Sequence, residues 1–220
     1  MNKRQAVLLN NAGIIKAVKA ARVVGKAMAG KIILVTGGAR SGKSVFAENY
    51  ASNCAGPMAY IATAQIYDEE MKERVAIHQS RRSADWITFE APYEADKAIV
   101  TAGLQAEVIL FDCLTLYTTN LMLAPNAPED RESRHDYVIN EITKLLDAAK
   151  LLNKTVIFVT NEVGMGIVPD NAMAREYRDL AGIANQRVAA RADEVYLVVS
   201  GLAIEIKARA LHQEVAKSHG

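Results

Sequence analysis

The stretch Ile32-Ile33-Leu34-Val35-Thr36-Gly37-Gly38-Ala39-Arg40-Ser41-Gly42-Lys43-Ser44 decides the reading of this 220-residue chain. An apolar run of strand type leads directly into G-x-x-x-x-G-K-S, and a helical pattern follows it. In that setting successive backbone N–H groups curl around phosphate oxygens, an approach that residues without a Cβ permit. Lys43 supplies a positive charge for the β- and γ-phosphates, and the Ser44 hydroxyl is placed to ligate Mg²⁺. The helix that begins near Ser44 aims its positive dipole end at the same phosphates. The first expectation is therefore a nucleoside triphosphate site built from Gly37, Gly38, Ala39, Arg40, Ser41, Gly42, Lys43 and Ser44.

Outward from this loop, apolar strand-like runs alternate with helical patterns. Strands are expected at Met58–Ala62, Trp86–Phe89, Val108–Phe111, Thr155–Thr160 and Glu194–Ser200, with a final apolar alternation at Ala203–Lys207 able to form a hairpin with its predecessor. Helical spacing marks Asp68–Arg82, Glu141–Leu152 and Ala172–Arg191. This alternation predicts an α/β fold: a mostly parallel sheet with helices on both faces and an antiparallel strand near the C-terminus. Ligands of such sheets gather at the carboxyl ends of the strands, the edge on which the Gly37–Ser44 loop must lie. The proline-containing segment Ala124–Arg134 reads as a surface loop.

Composition limits the functions available. Half of the residues are hydrophobic, 23% are charged and the net charge is +1, which gives no support for nucleic-acid binding. No apolar stretch is long enough to span a bilayer. Cys54 and Cys113 match no metal or redox spacing and read as buried free thiols of a reducing, cytoplasmic compartment. Residues 1–31 carry seven Lys or Arg and no acid. They are expected to form a poorly ordered leader (1–30), with a basic amphipathic, membrane-surface helix as the alternative. The domain itself is expected at 31–207, followed by a tail at 208–220.

Several residues offer further chemistry. Asp112 ends an apolar strand, where it fits either a Mg²⁺-directing carboxylate or a cap for the following helix. Thr63 lies just past another strand end. His78 follows Arg74 by one helical turn and precedes Arg81 and Arg82; such a histidine is either a surface residue or a nucleophile toward phosphorus. The segment Thr160–Pro169 leaves a buried strand with two glycines and a proline, and so forms a shaped loop at the ligand edge. Glu176, Arg178 and Asp179 read by default as a solvated charge face.

Together, the Ile33–Ser44 block, Tyr60-Ile61-Ala62-Thr63-Ala64, Thr160-Asn161-Glu162-Val163-Gly164-Met165-Gly166-Ile167-Val168-Pro169 and Ala192–Gly201 resemble the bifunctional adenosylcobinamide kinase/adenosylcobinamide-phosphate guanylyltransferases of cobalamin biosynthesis. The resemblance runs from about Lys31 to Lys207. It implies phosphorylation of adenosylcobinamide by a nucleoside triphosphate (ATP or GTP, with Mg²⁺), then transfer of GMP from GTP to adenosylcobinamide phosphate through a GMP–histidine intermediate. The family's histidine context, Arg-x-x-x-His before Trp-x-Thr-x-Glu, corresponds here to Arg74–His78 and Trp86–Glu90, which makes His78 the implied nucleophile. Implied nucleotide contacts are Gly37–Ser44, Ala62, Thr63, Ala64, Gln79, Ser80, Arg81, Arg82, Glu90 and Asp112, with Ser44 and Asp112 directing the metal. Some members carry a second histidine where Ile77 stands, a basic residue in place of Gln79, or Glu in place of Asp112. The resemblance also implies a RecA-like phosphate-loop fold and a homotrimer. A plain small-molecule kinase, which needs no phosphorus-linked histidine, and a RecA-like ATPase or assembly module are the competing readings.

Overall fold

In a computed structural model of the chain, residues 30–65 and 86–211 are described, with Glu69 and Glu73 between them. The expected leader, all of the Asp68–Arg82 helix except Glu69 and Glu73, and the end of the tail lie outside the described residues. Seven strands form one sheet in the order β3-β2-β4-β5-β1-β6-β7. They are β1 (Ile32–Gly37), β2 (Met58–Ala62), β3 (Trp86–Glu90), β4 (Val108–Asp112), β5 (Thr155–Asn161), β6 (Glu194–Val199) and β7 (Leu202–Glu205). Every pairing is parallel except β6 with β7, as the sequence pattern predicts.

The central strands are apolar throughout because both of their faces are covered. Ile32 and Leu34 of β1 face one side, with Ile109 and Phe111 of β4 and Val156 and Phe158 of β5. Over them pack α2 (Ala95–Gly103), α3 (Leu114–Met122), α4 (Arg131–Leu152) and α5 (Ala172–Arg191). Ile33 and Val35 face the other side with Leu110, Ile157 and Val159, where Ala47 and Ala51 of α1 (Lys43–Ser52) cover them. Alternate residues of one strand thus feed two separate cores, as a period of two requires.

Two expectations are corrected here. The surface loop assigned to Ala124–Arg134 ends earlier, because the Asp130 carboxylate accepts a hydrogen bond from the Ser133 N–H at 2.9 Å and starts α4 at Arg131. The charge face at Glu176 is not solvated. Glu176 is 8% exposed, and its two carboxylate oxygens accept from Nε and Nη2 of Arg134 at 2.8 and 2.9 Å. Arg134 also donates to the carbonyls of Pro128 and Glu129, so one guanidinium fastens the loop before α4 to α5. Cys113 is buried as expected, while Cys54 is only half-buried.

The described helices include none long and apolar enough to cross a membrane.

Candidate active site at the carboxyl edge of the sheet

The phosphate loop leaves β1 at Gly37 and re-enters regular structure at Lys43. Its turn depends on two left-handed residues, Arg40 at φ 57° and Gly42 at φ 97°. A Cβ on Gly42 would meet the Gly201 Cα at 3.1 Å, and one on Gly37 would run into the Val198 carbonyl and stand 2.7 Å from Ser41 Oγ. Glycine is therefore required at Gly37 by contact, while at Gly42 the left-handed conformation demands it and the Gly201 contact is tight. A Cβ on Gly38, by contrast, meets nothing within 4 Å. The loop is packed behind and open in front.

The packing behind comes from the β6–β7 hairpin. Its turn, Ser200-Gly201, has φ of 53° and 80°, and the Gly201 N–H donates to the Ser41 carbonyl at 2.8 Å. Ser200-Gly201 carried only a family resemblance in the sequence; their buttressing role needed the hairpin register to be seen. Across the loop, the Glu162 N–H donates to the Gly37 carbonyl at 3.0 Å, which ties the Thr160–Pro169 segment to the first residue of the phosphate loop.

Lys43 is largely buried, and its ammonium donates back to the Gly38 carbonyl at 3.0 Å. Burial lowers its pKa from the ordinary 10.5, and the neighbouring Asp112 carboxylate pulls the other way. Ser41 Oγ is buried and has no hydrogen-bond partner among the described residues. A buried cation bonded to one carbonyl among the described residues, an orphan hydroxyl and the N-terminus of α1 together fit a phosphate chain.

Register sets the remaining groups. Ala62 pairs with both Glu90 and Asp112, so these three expected residues share one row at the carboxyl edge. Asp112 is not a helix cap: Cys113 holds the N-cap position of α3, without a side-chain cap bond. Its carboxylate instead accepts from the Tyr60 hydroxyl at 3.1 Å and lies near enough to Lys43 of the phosphate loop to raise that group's pKa. Asp112 with the Ser44 hydroxyl is an oxygen donor pair suited to Mg²⁺.

Thr63 is fully buried. Its hydroxyl donates to the Cys113 carbonyl at 2.9 Å and accepts from the Cys113 N–H at 2.8 Å, while its own N–H donates to the Asp112 carbonyl at 3.3 Å. Asn120 adds bonds from Nδ2 to the carbonyls of Thr63 and Pro92. Thr63 thus laces β2 to the strand end that carries Asp112. Further along the edge, Asn161 donates to Thr115 Oγ1 at 3.2 Å and Asn185 donates to the Asn161 carbonyl at 3.1 Å. Thr115 in turn lies 3.1 Å from Cys113 Sγ, a thiol that burial raises to a pKa of about 11. Tyr60, Thr115 and Asn185 were missed by sequence reasoning, since no local pattern marks a residue that acts across strands. His78, Gln79, Ser80, Arg81 and Arg82 lie outside the described residues.

Residues 33–206 match the family model described as cobinamide kinase/cobinamide phosphate guanyltransferase. The chain belongs to this family. The bifunctional adenosylcobalamin biosynthesis protein CobU of Salmonella typhimurium is 46% identical over 182 residues, covering 80% of this chain and 99% of the relative. The bifunctional adenosylcobalamin biosynthesis protein CobP of Pseudomonas aeruginosa is 39% identical over 178 residues, covering 81% and 98%. A solved structure of a prototypical ATPase from the type III secretion system of pathogenic bacteria aligns over 84% of this chain and 61% of its own, at 17% identity and a TM-score of 0.49. Family membership bears out the resemblance drawn from the four sequence blocks. It also makes the bifunctional kinase and guanyltransferase the family context in which the phosphate loop is to be read.

Proposed function

We propose that this chain phosphorylates adenosylcobinamide and then converts the product to adenosylcobinamide-GDP. The observation that carries the reading is the family match over residues 33–206, which includes a phosphate loop whose buried Lys43 and orphan Ser41 hydroxyl suit a triphosphate. In the first reaction the substrate hydroxyl oxygen attacks the γ-phosphorus of ATP or GTP, loses its proton, and the nucleoside diphosphate leaves. The loop N–H groups and Lys43 hold the phosphate oxygens and offset the charge that gathers on them. Ser44 and Asp112 would hold Mg²⁺, which would supply additional positive charge to the phosphate chain.

In the second reaction an imidazole nitrogen of His78 attacks the α-phosphorus of GTP. A P–N bond forms, the bond to the β-phosphate oxygen breaks, and pyrophosphate leaves. A phosphate oxygen of adenosylcobinamide phosphate then displaces His78 from the same phosphorus and restores the free imidazole. Gln79, Ser80, Arg81, Arg82 and Glu90 are the proposed nucleotide contacts on that side, with Ala62 and Ala64 along the edge. Thr63 supports the same edge through Cys113. We place the protein in the cytoplasm as a homotrimer, following the family resemblance.

Product analysis by mass spectrometry tests the reading. Adenosylcobinamide incubated with Mg²⁺ and GTP should gain a phosphate and then a guanylyl group, with pyrophosphate released in step with the second. Accumulation of the monophosphate alone would reduce the chain to a plain kinase. No transfer at all, with nucleotide hydrolysis stimulated by single-stranded DNA, would favour the RecA-like module.

A further inference from the structure

The segment after β5 is anchored at both ends and apolar at its crest. At the near end the Glu162 N–H is bonded to the Gly37 carbonyl, and the Glu162 carboxylate accepts from the Gly164 N–H at 2.6 Å. At the far end Arg175 Nη1 donates to the carbonyls of Pro169 and Asp170 at 2.9 and 2.6 Å, and Asn171 caps α5 through the Ala174 N–H. Between these anchors Met165 is 84% exposed, Ile167 97% and Val168 60%, followed by Met173 at 57%. Apolar side chains displayed on a fastened loop beside a ligand site mark a surface made to be covered.

We infer that this loop is the platform on which the macrocycle of the acceptor rests, with Met165 and Ile167 as its principal contacts. The inference rests on the functional reading above and names the part of the site that holds the second substrate. The occupant follows from position. On that functional reading the triphosphate lies in the Gly37–Ser44 loop, so the acceptor hydroxyl must arrive at its γ-phosphate end, and the bulk attached to it must lie on the neighbouring edge. Ile167 is five residues beyond the anchor at Glu162, so its Cα lies at most about 18 Å from that anchor. A corrinoid ring with its hydroxyl-bearing arm spans such a distance. Its methyl-studded rim suits unbranched, adaptable Met165 and branched Ile167, while its amides remain free for the exposed backbone of Gly166.

The test compares the full chain with its Met165→Ser/Ile167→Ser double variant. It reads KM and kcat for adenosylcobinamide phosphorylation, GTP affinity by calorimetry, and mass by light scattering. KM for adenosylcobinamide should rise at least about tenfold, as expected when two apolar contacts are lost, with GTP affinity within about twofold and mass unchanged. Ile167→Leu alone, which keeps an apolar side chain of the same size, should leave KM within about twofold of wild type. An unchanged KM in the double variant overturns the assignment while leaving the functional reading intact. So does a parallel loss of GTP affinity, which would make the loop part of the nucleotide site, or a change in mass, which would make it a subunit contact. A wild-type chain that leaves adenosylcobinamide unphosphorylated overturns the functional reading and this one together.

Discussion

Replacing Thr63 by valine keeps the size of the side chain and removes one oxygen, and the structure fixes what that oxygen does. The hydroxyl accepts from the Cys113 N–H and donates to the Cys113 carbonyl, both in a region without water access. The two losses are unequal. The Cys113 carbonyl also accepts from the Tyr117 N–H at 3.1 Å, so it stays satisfied, whereas the Cys113 N–H has no other acceptor among the described residues. One buried N–H left without a partner costs about 1–3 kcal/mol, so about 2 kcal/mol is expected for Thr63→Val. With a urea slope of about 2 kcal/mol/M, the unfolding midpoint should fall by about 1 M. Thr63→Ser retains the hydroxyl and loses one methyl, for about 0.8 kcal/mol. Because the hydroxyl faces Cys113 and not the open edge, GTP affinity measured on the folded valine variant should change less than about threefold, a difference under about 0.7 kcal/mol. A midpoint equal to wild type would refute the hydrogen-bond accounting. An intact midpoint with a tenfold loss of GTP affinity would put the hydroxyl on the nucleotide instead.

Gly42→Ala should cost about 1–2 kcal/mol of stability for the left-handed backbone alone, and more through the Gly201 contact; thermal unfolding and GTP calorimetry should both register it, and wild-type values in both would contradict the loop geometry. Arg134→Met should destabilise the chain by about 2 kcal/mol, less than a fully buried pair because Arg134 and Glu176 keep 17% and 11% of their side chains in water. The same pair sets a pH dependence. Arg134 lowers the Glu176 pKa below its ordinary 4.5 through direct hydrogen bonds, so the pair's stabilisation is full above pH 4.5 and fades as the pH falls through the lowered value. Wild-type stability should therefore drop more steeply below pH 4.5 than that of Arg134→Met in denaturant titrations, and parallel acid slopes would remove the pair from the account.

The sequence made legible whatever is local or periodic. The phosphate loop is written in consecutive residues, and the parallel sheet follows from unbroken apolar strands separated by helical spacing. Even the antiparallel β6–β7 hairpin shows in the apolar alternation at Ala203–Lys207. Helix α2 left little signal because its N-cap, Glu94, is left-handed and makes no side-chain cap bond, so the usual start mark is missing. Tyr60, Thr115 and Asn185 belong to the site edge through partners 52, 46 and 24 residues away, and no spacing rule reaches that far. Glu176 looked solvated for the same reason: its partner Arg134 lies on another helix. Thr63 was found, but its burial against Cys113 assigns it a supporting task at the nucleotide edge.

We propose that one chain breaks bonds at two different phosphorus atoms, the γ-phosphorus in the kinase step and the α-phosphorus of GTP in the transfer step, with His78 carrying GMP from GTP to the phosphate of the acceptor. Incubating the protein with Mg²⁺ and GTP labelled at the α-phosphate, then denaturing it and following the label through acid and base, tests this most directly. The wild type should carry a covalent label that is acid-labile and base-stable, as a P–N bond is, and His78→Ala should carry none. His78→Ala should still phosphorylate adenosylcobinamide. A label that persists on His78→Ala, or a wild type that forms adenosylcobinamide-GDP without ever becoming labelled, would contradict the proposal.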